Sequence, residues 1–178
     1  MPFKFQETRI SGLVMIETET ASDERGSFGE VFKARDFKAN GLPVEFVQIN
    51  HSYSRKNVLR GLHYQLAPAA QARLVRVLQG EVFDVAVDIR RGSPTYGQWV
   101  GEYLSGANNR MLFIPEGFAH GFCVLSETAE LMYFCSKEYA HGLERSIIWN
   151  DPALGIKWPV SKPLLSDKDA RGIHFSAV

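Results

Sequence analysis

The hexapeptide Arg60-Gly61-Leu62-His63-Tyr64-Gln65 sets a basic residue and a histidine into a strand-like run that begins at Val58. Imidazole titrates nearest neutral pH of the common side chains, so a histidine held among strands can take up a proton and return it. Histidines so placed are more often hydrogen-bonded core or rim residues, and the neighbours decide between the two. Parity opposes a shared site, because Arg60 and His63 stand three apart and a regular strand sends them to opposite faces. A bulge or kink at Gly61 would turn both toward one cavity.

Further polar residues interrupt runs that are otherwise apolar. Gln48 and Asn50 share a parity, Arg73 breaks into Gln71 to Leu78, and Tyr133 shares a parity with Leu131 and Cys135. Polar groups on an inward face need partners, and a ligand cavity supplies them. Pro115-Glu116-Gly117-Phe118-Ala119-His120 adds a second histidine at a turn after a strand. Two histidines at strand ends suit a metal site or a sugar site. A first-row metal needs three or four ligands, and two imidazoles with no carboxylate at a fitting spacing fall short, so a metal-free site is predicted.

The elements that must position these groups are short β-branched and aromatic runs separated by turn residues. They span 13–18, 28–33, 45–52, 58–64, 73–78, 81–89, 98–104, 110–114, 121–125, 129–136 and 145–149, at the spacing of an all-β sandwich or barrel. Only Ala34 to Asn40 reads as a helix, stopped by Asn40-Gly41. In 81–89, Phe83, Val85, Val87 and Ile89 fall on one parity while Asp84 and Asp88 fall on the other. Turns before and after that run make it a member of an antiparallel hairpin. Without crossover helices or a glycine-rich phosphate loop, a doubly wound nucleotide fold is excluded, and a jelly roll fits best.

At 178 residues the chain is the size of one domain. Twenty lysines and arginines balance twenty aspartates and glutamates, so no net field recruits nucleic acid or an anionic membrane, and a small-molecule partner is expected. The start, MPFKFQETRISG, is too charged for a signal peptide and no apolar run reaches membrane-span length, so a cytoplasmic location is expected. Cys123 and Cys135 sit in apolar runs and read as buried thiols without a functional part. The polar end, Ser166-Asp167-Lys168-Asp169, is a solvated tail unless it folds back over the barrel mouth.

Set beside cupin barrels, the chain keeps the Pro-x-Gly-x-x-His motif through His120 but reads His63-Tyr64-Gln65 where cupins place His-x-His. More specifically, the sequence resembles the dTDP-4-dehydrorhamnose 3,5-epimerase family from Asp23 to Asp169. The resemblance rests on DERGSFGE at 23–30, QINHSYS at 48–54, LRGLHYQ at 59–65, VFDVAVDIRRGSPTYG at 82–97, IPEGFAHGF at 114–122, NDPALGIKWP at 150–159 and LSDKD at 165–169.

The resemblance implies a single domain over 1–178, a double-stranded β-helix (jelly-roll, cupin-like) barrel with short peripheral helices and a tail from about 160 to 178 closing on it. It implies a cofactor-independent isomerase that inverts carbons 3 and 5 of dTDP-4-dehydro-6-deoxy-D-glucose; the alternative is a 3-epimerase acting on a related dTDP-4-keto-6-deoxy sugar. By the same resemblance His63 is the base, Asp169 its carboxylate partner, and Tyr133 the proton donor on the other sugar face. Arg73 stands where the family usually has a lysine near the enolate oxygen, and the planar fork is not equivalent to an ammonium. Substrate contacts fall to Arg25, Phe28, Glu30, Gln48, Asn50, Arg60, His120, Glu144 and Lys168, with Tyr139 stacking on thymine. The family resemblance also implies a homodimer.

Overall fold

The computed structural model describes residues 2–43 and 45–178. Thirteen strands form in chain order. They are β1 (Phe3–Glu7), β2 (Val14–Thr18), β3 (Thr20–Asp23), β4 (Gly26–Gly29), β5 (Gln48–Arg55), β6 (Leu59–Gln65) and β7 (Arg73–Gln79), then β8 (Glu81–Asp88), β9 (Trp99–Ser105), β10 (Arg110–Ile114), β11 (Phe118–Val124), β12 (Thr128–Cys135) and β13 (Glu144–Ser146). Among the described residues two short α-helices, α1 (Ala34–Ala39) and α2 (Asp167–Ala170), and two single 3₁₀ turns lie outside the sheets. A six-stranded sheet runs β1-β2-β10-β7-β12-β5, a five-stranded sheet runs β13-β6-β11-β8-β9, and β3 with β4 makes a separate hairpin. The strand pairs within these sheets are antiparallel, as the jelly-roll expectation requires.

Apolar side chains from both sheets meet between them. Met15, Val75, Leu112 and Leu131 from one side pack with Val82, Ala86, Val100 and Phe122 from the other. Both sheets are also covered on their outer faces, which is why strands such as β11 read as nearly unbroken hydrophobic runs. Over the five-stranded sheet, Phe83, Val85, Val87 and Cys123 pack under the chain that follows β13, including Leu154, Trp158 and Phe175. Over the six-stranded sheet, α1 inserts Phe37 into a cluster with Ile16, Leu74 and Met111. Fully burying one such phenylalanine contributes about 2–3 kcal/mol.

Several elements differ from their sequence reading. Expected at 28–33, a strand instead occupies Gly26–Gly29 and closes a hairpin whose turn is fixed by the Asp23 carboxylate accepting the Arg25 backbone N–H (2.9 Å). β5 lies three residues later than expected, and β13 covers only the first two residues of the predicted 145–149 run. β1 went unpredicted because it is an edge strand whose charged residues mask its alternating phenylalanines. The turn at Gly80 carries the chain from one sheet to the other, and the hairpin partner of β8 is β9. Asp84 and Asp88 of β8 are fully buried, so the parity they share with Val82 and Ala86 faces the interior. No helix among the described residues is long and apolar enough to cross a membrane.

Candidate active site

A cavity of about 470 Å³ opens between the two sheets, lined by His63, His120, Tyr133, Arg60 and Arg73 among others. Two roomier clefts of about 570 and 620 Å³ lie elsewhere, and neither presents a histidine or a tyrosine.

The shared placement of Arg60 and His63 comes from a bulge. His120 of β11 pairs with His63 of β6, and two residues later Phe122 pairs with Arg60, so β6 spends one extra residue over that interval. Gly61 has φ +128°, and a Cβ there would meet the Gly121 Cα at 2.5 Å, so only glycine permits the crossing of β6 and β11. The bulge predicted at Gly61 is present, and both side chains line the cavity.

His63 meets the returning tail. Its Nε2 lies 2.5 Å from Asp169 Oδ1, an oxygen that also accepts the Gly61 N–H at 3.3 Å. Burial opposes ionisation of Asp169, but the hydrogen bond and charge of His63, with donors from Ser166 and Gly61, hold its carboxyl below the usual range. A second imidazole–carboxylate pair sits beside the first. His120 Nε2 is 2.9 Å from Asp84 Oδ2 and 3.0 Å from Oδ1, with His120 nearly and Asp84 wholly buried.

Tyr133 approaches from the facing sheet, where it pairs in register with Asn50. Burial pushes its phenol upward despite the opposing charge of Arg73, so it stays protonated at neutral pH. Arg73 donates to the His63 carbonyl (3.3 Å) and to Gln71 Oε1 (3.3 Å) from a buried position that pushes its guanidinium downward. The base and the acid candidates therefore stand on opposite walls, with a cation and a second imidazole between.

The far end of the cavity is a polar chain. Gln48 donates to Asn50 Oδ1 (2.9 Å) and accepts the Tyr139 N–H (2.8 Å), while the Tyr139 hydroxyl donates to Glu144 (2.9 Å). Lys168 of the tail reaches Glu144 at 2.5 Å. Arg60 is steadied by Ser54 Oγ (3.1 Å). Nine of the sequence candidates thus line the cavity, with Asp169 and Lys168 bonded to His63 and Glu144 of that lining. Arg25, Phe28 and Glu30 do not join it; they lie on or just after the β3–β4 hairpin, where Phe28 is 71% exposed.

Sequence reasoning did not single out Asp84, which the structure places on the inward face of β8 with Val82 and Ala86. Gln65, where cupins place a metal-binding histidine, is a clamp instead: it donates to the Ala69 carbonyl (2.7 Å) and accepts the Ala140 N–H (2.7 Å). Burial pushes the Cys123 thiol up to about 12, and Cys135, itself buried, accepts from the amide of the lining residue Asn50 at 3.6 Å. Among the described residues no group of three or more His, Cys, Asp or Glu is disposed to hold a metal ion.

A family profile described as dTDP-4-dehydrorhamnose 3,5-epimerase matches residues 7–177. The chain is similar to dTDP-4-dehydrorhamnose 3,5-epimerase of Shigella flexneri, 56% identical over 170 residues that cover 95% of this chain and 94% of the relative. In structure it is similar to a dTDP-6-deoxy-D-glucose-3,5-epimerase from Legionella pneumophila solved with dTDP-4-keto-L-rhamnose (TM-score 0.96, 49% identity, 99% and 95% of the two chains). It is more distantly similar to ChmJ, a 3'-monoepimerase from Streptomyces bikiniensis solved with dTDP-quinovose (TM-score 0.91, 35% identity, 96% and 87% of the chains).

Proposed function

The chain belongs to the dTDP-4-dehydrorhamnose 3,5-epimerase family, and from that premise we propose how its own residues carry the reaction. The reaction is inversion at carbons 3 and 5 of dTDP-4-dehydro-6-deoxy-D-glucose. Each carbon is α to the 4-keto group, so its proton is acidic only because the resulting charge spreads onto that oxygen. A base at carbon, a positive or hydrogen-bonding group at oxygen, and an acid on the opposite face are all required.

His63 takes the proton through the ring nitrogen not engaged by Asp169, which fixes the tautomer and stabilises the imidazolium that forms. The C–H electron pair moves into the ring and the charge appears on the keto oxygen, where Arg73 and the His120–Asp84 pair stabilise it. Tyr133 then delivers a proton to the other face of the carbon. Each inversion leaves the imidazole protonated and the phenol deprotonated, and exchange with solvent resets both. The electrons stay within the substrate, so the sequence of steps balances without a redox cofactor.

The observation that carries this reading is the placement of His63 and Tyr133 on β6 and β12, strands of two facing sheets with one cavity between them. Turnover in deuterium oxide tests it. Label at both carbons 3 and 5 is the expected result, and label at one carbon alone would mark a single-site enzyme.

The nucleotide occupies the end where Gln48, Asn50, Arg60, Glu144 and Lys168 converge, with Tyr139 exposed enough to stack on thymine. The chain works as a homodimer in which the β3–β4 hairpin of one protomer delivers Arg25, Phe28 and Glu30 toward its partner's cavity. The exposed Phe28 ring on a hairpin that joins neither large sheet supports this reading. Phe28→Asp should raise KM and lower the apparent mass in sedimentation; an unchanged dimer with unchanged KM would defeat it.

A further inference from the structure

The tail that supplies Asp169 is held at both ends by backbone pairing. Before α2, Leu164 exchanges hydrogen bonds with the start of β6 (Leu164 N–H to the Asn57 carbonyl, 2.7 Å; Leu59 N–H to the Leu164 carbonyl, 3.0 Å). After α2, Ile173 donates to the Ser146 carbonyl (2.8 Å) and accepts from the Ile148 N–H (2.9 Å). The Cα of Asp169 is therefore fixed by the chain on either side of it. What backbone pairing does not fix is the side chain, whose two remaining torsions decide whether a carboxylate oxygen points at His63.

That job falls to one hydroxyl. Ser166 Oγ accepts the Asp169 N–H at 3.1 Å and donates to Asp169 Oδ2 at 2.7 Å, closing a reciprocal ring with a single residue. A serine hydroxyl has one proton and two lone pairs, so it can serve both bonds at once. With Oδ2 tied down, the plane of the carboxylate is set, and Oδ1 faces the His63 Nε2 and the Gly61 N–H. We propose that Ser166 is a positioning residue for the epimerisation, orienting Asp169 so that the carboxylate holds His63 in its working tautomer. The proposal rests on the reading of His63 and Asp169 as base and partner.

Ser166 is also the N-cap of α2, and a purely structural cap is the competing explanation. The two roles demand different atoms. A cap needs only an acceptor for the Asp169 N–H, and aspartate serves there as well as serine, with glycine not far behind. Orienting the Asp169 carboxylate needs a donor, which neither of those residues offers, whereas threonine keeps the hydroxyl.

The experiment measures kcat and KM for dTDP-4-dehydro-6-deoxy-D-glucose, dTDP affinity by titration, and melting temperature in Ser166→Thr, Ser166→Asp, Ser166→Gly and Asp169→Asn. The expected result is a loss of kcat of about tenfold or more in the Asp and Gly variants, the scale on which groups that orient a reacting side chain act. KM and dTDP affinity should stay within about twofold, and threonine should recover most of the rate. Should the Asp variant not fold, the Gly variant carries the same comparison. Parental kcat in the Asp or Gly variant, alongside an impaired Asp169→Asn, would overturn the role of Ser166 and leave the base intact. Parental kcat in Asp169→Asn would instead overturn the base itself, and this inference with it.

Discussion

Two imidazole–carboxylate pairs face the same cavity and are built in different ways. His120 and Asp84 belong to neighbouring strands of one sheet, are both buried, and owe their contact to the β11–β8 register. His63 and Asp169 are 106 residues apart; the imidazole side chain keeps 23% of its surface exposed, and its partner arrives on a four-residue helix. A sheet register cannot yield without unpairing the strands, so the first pair is a rigid fixture suited to meeting a fixed oxygen. The second is assembled late in the chain and remains open to the substrate, as a group that must exchange protons has to be. The difference separates what the fold needs from what the chemistry needs.

The largest break in this comparison is His63→Ala. It removes the proposed base, so proton exchange should fall by about 10³-fold or more at both carbons while the fold survives, as solvent-label uptake and circular dichroism would report. Next in size is the fold cost of the rigid pair. Asp84→Ala leaves a buried imidazole without its carboxylate, an effect of about 3–5 kcal/mol. For a chain of this length the melting temperature should drop by about 10 °C. Asp169→Ala should cost only about 1–2 kcal/mol, because water can reach the ring it abandons. Equal thermal losses in the two variants would erase the distinction.

Tyr133→Phe comes third. Proton abstraction by His63 should continue, so solvent label still enters, but return on the opposite face fails and formation of the inverted product falls by about 10²-fold. Complete loss of exchange, matching His63→Ala, would contradict the division of roles between the two walls.

The sequence carried the barrel, the bulge and most of the cavity lining, for identifiable reasons. Alternating runs such as 110–114 are set by local pattern, and the clash of parity between Arg60 and His63 forced a break at the one residue able to make it, Gly61. Asp84 stayed hidden because an acid on an alternate strand position reads as solvent-facing, and only the outer cover of chain beyond β13 shows that both faces are interior. Ser166 was invisible for a different reason: its role depends on a fold-back that joins residues 106 apart, and parity says nothing at that range. Arg25 and Phe28 were expected at the site on shared motif alone, which says nothing of where a hairpin lies, and they fall outside the cavity lining.

A smaller effect follows the pH dependence of the Asp169 carboxyl. The folded Asp169 carboxyl titrates below its ordinary value of 3.8. It therefore contributes stability that is present above about pH 4 and is lost as the pH falls through the folded value. Melting curves of the parent and Asp169→Asn should differ by about 1–2 kcal/mol at pH 7, and the gap should narrow progressively as the pH falls below about 4 toward the folded value. A gap that does not narrow at all below about pH 4 would place the contribution in packing and not in charge.

The smallest expected effect is that of Arg73→Lys, which tests the cation on the opposite wall. Arg73 makes two bonds of 3.3 Å, to the His63 carbonyl and to Gln71, longer than the 2.7–2.9 Å typical of charge-assisted contacts. Its charge is thus only partly committed to the protein and can turn to a developing oxyanion. Lysine keeps the charge but offers a point in place of a fork. If charge is what the enolate oxygen needs, Arg73→Lys should hold kcat within about threefold, whereas Arg73→Met should lose about 10²-fold. If the fork is what matters, the Lys and Met variants should fail alike. In that case the oxygen is held by the geometry of the guanidinium fork on this wall.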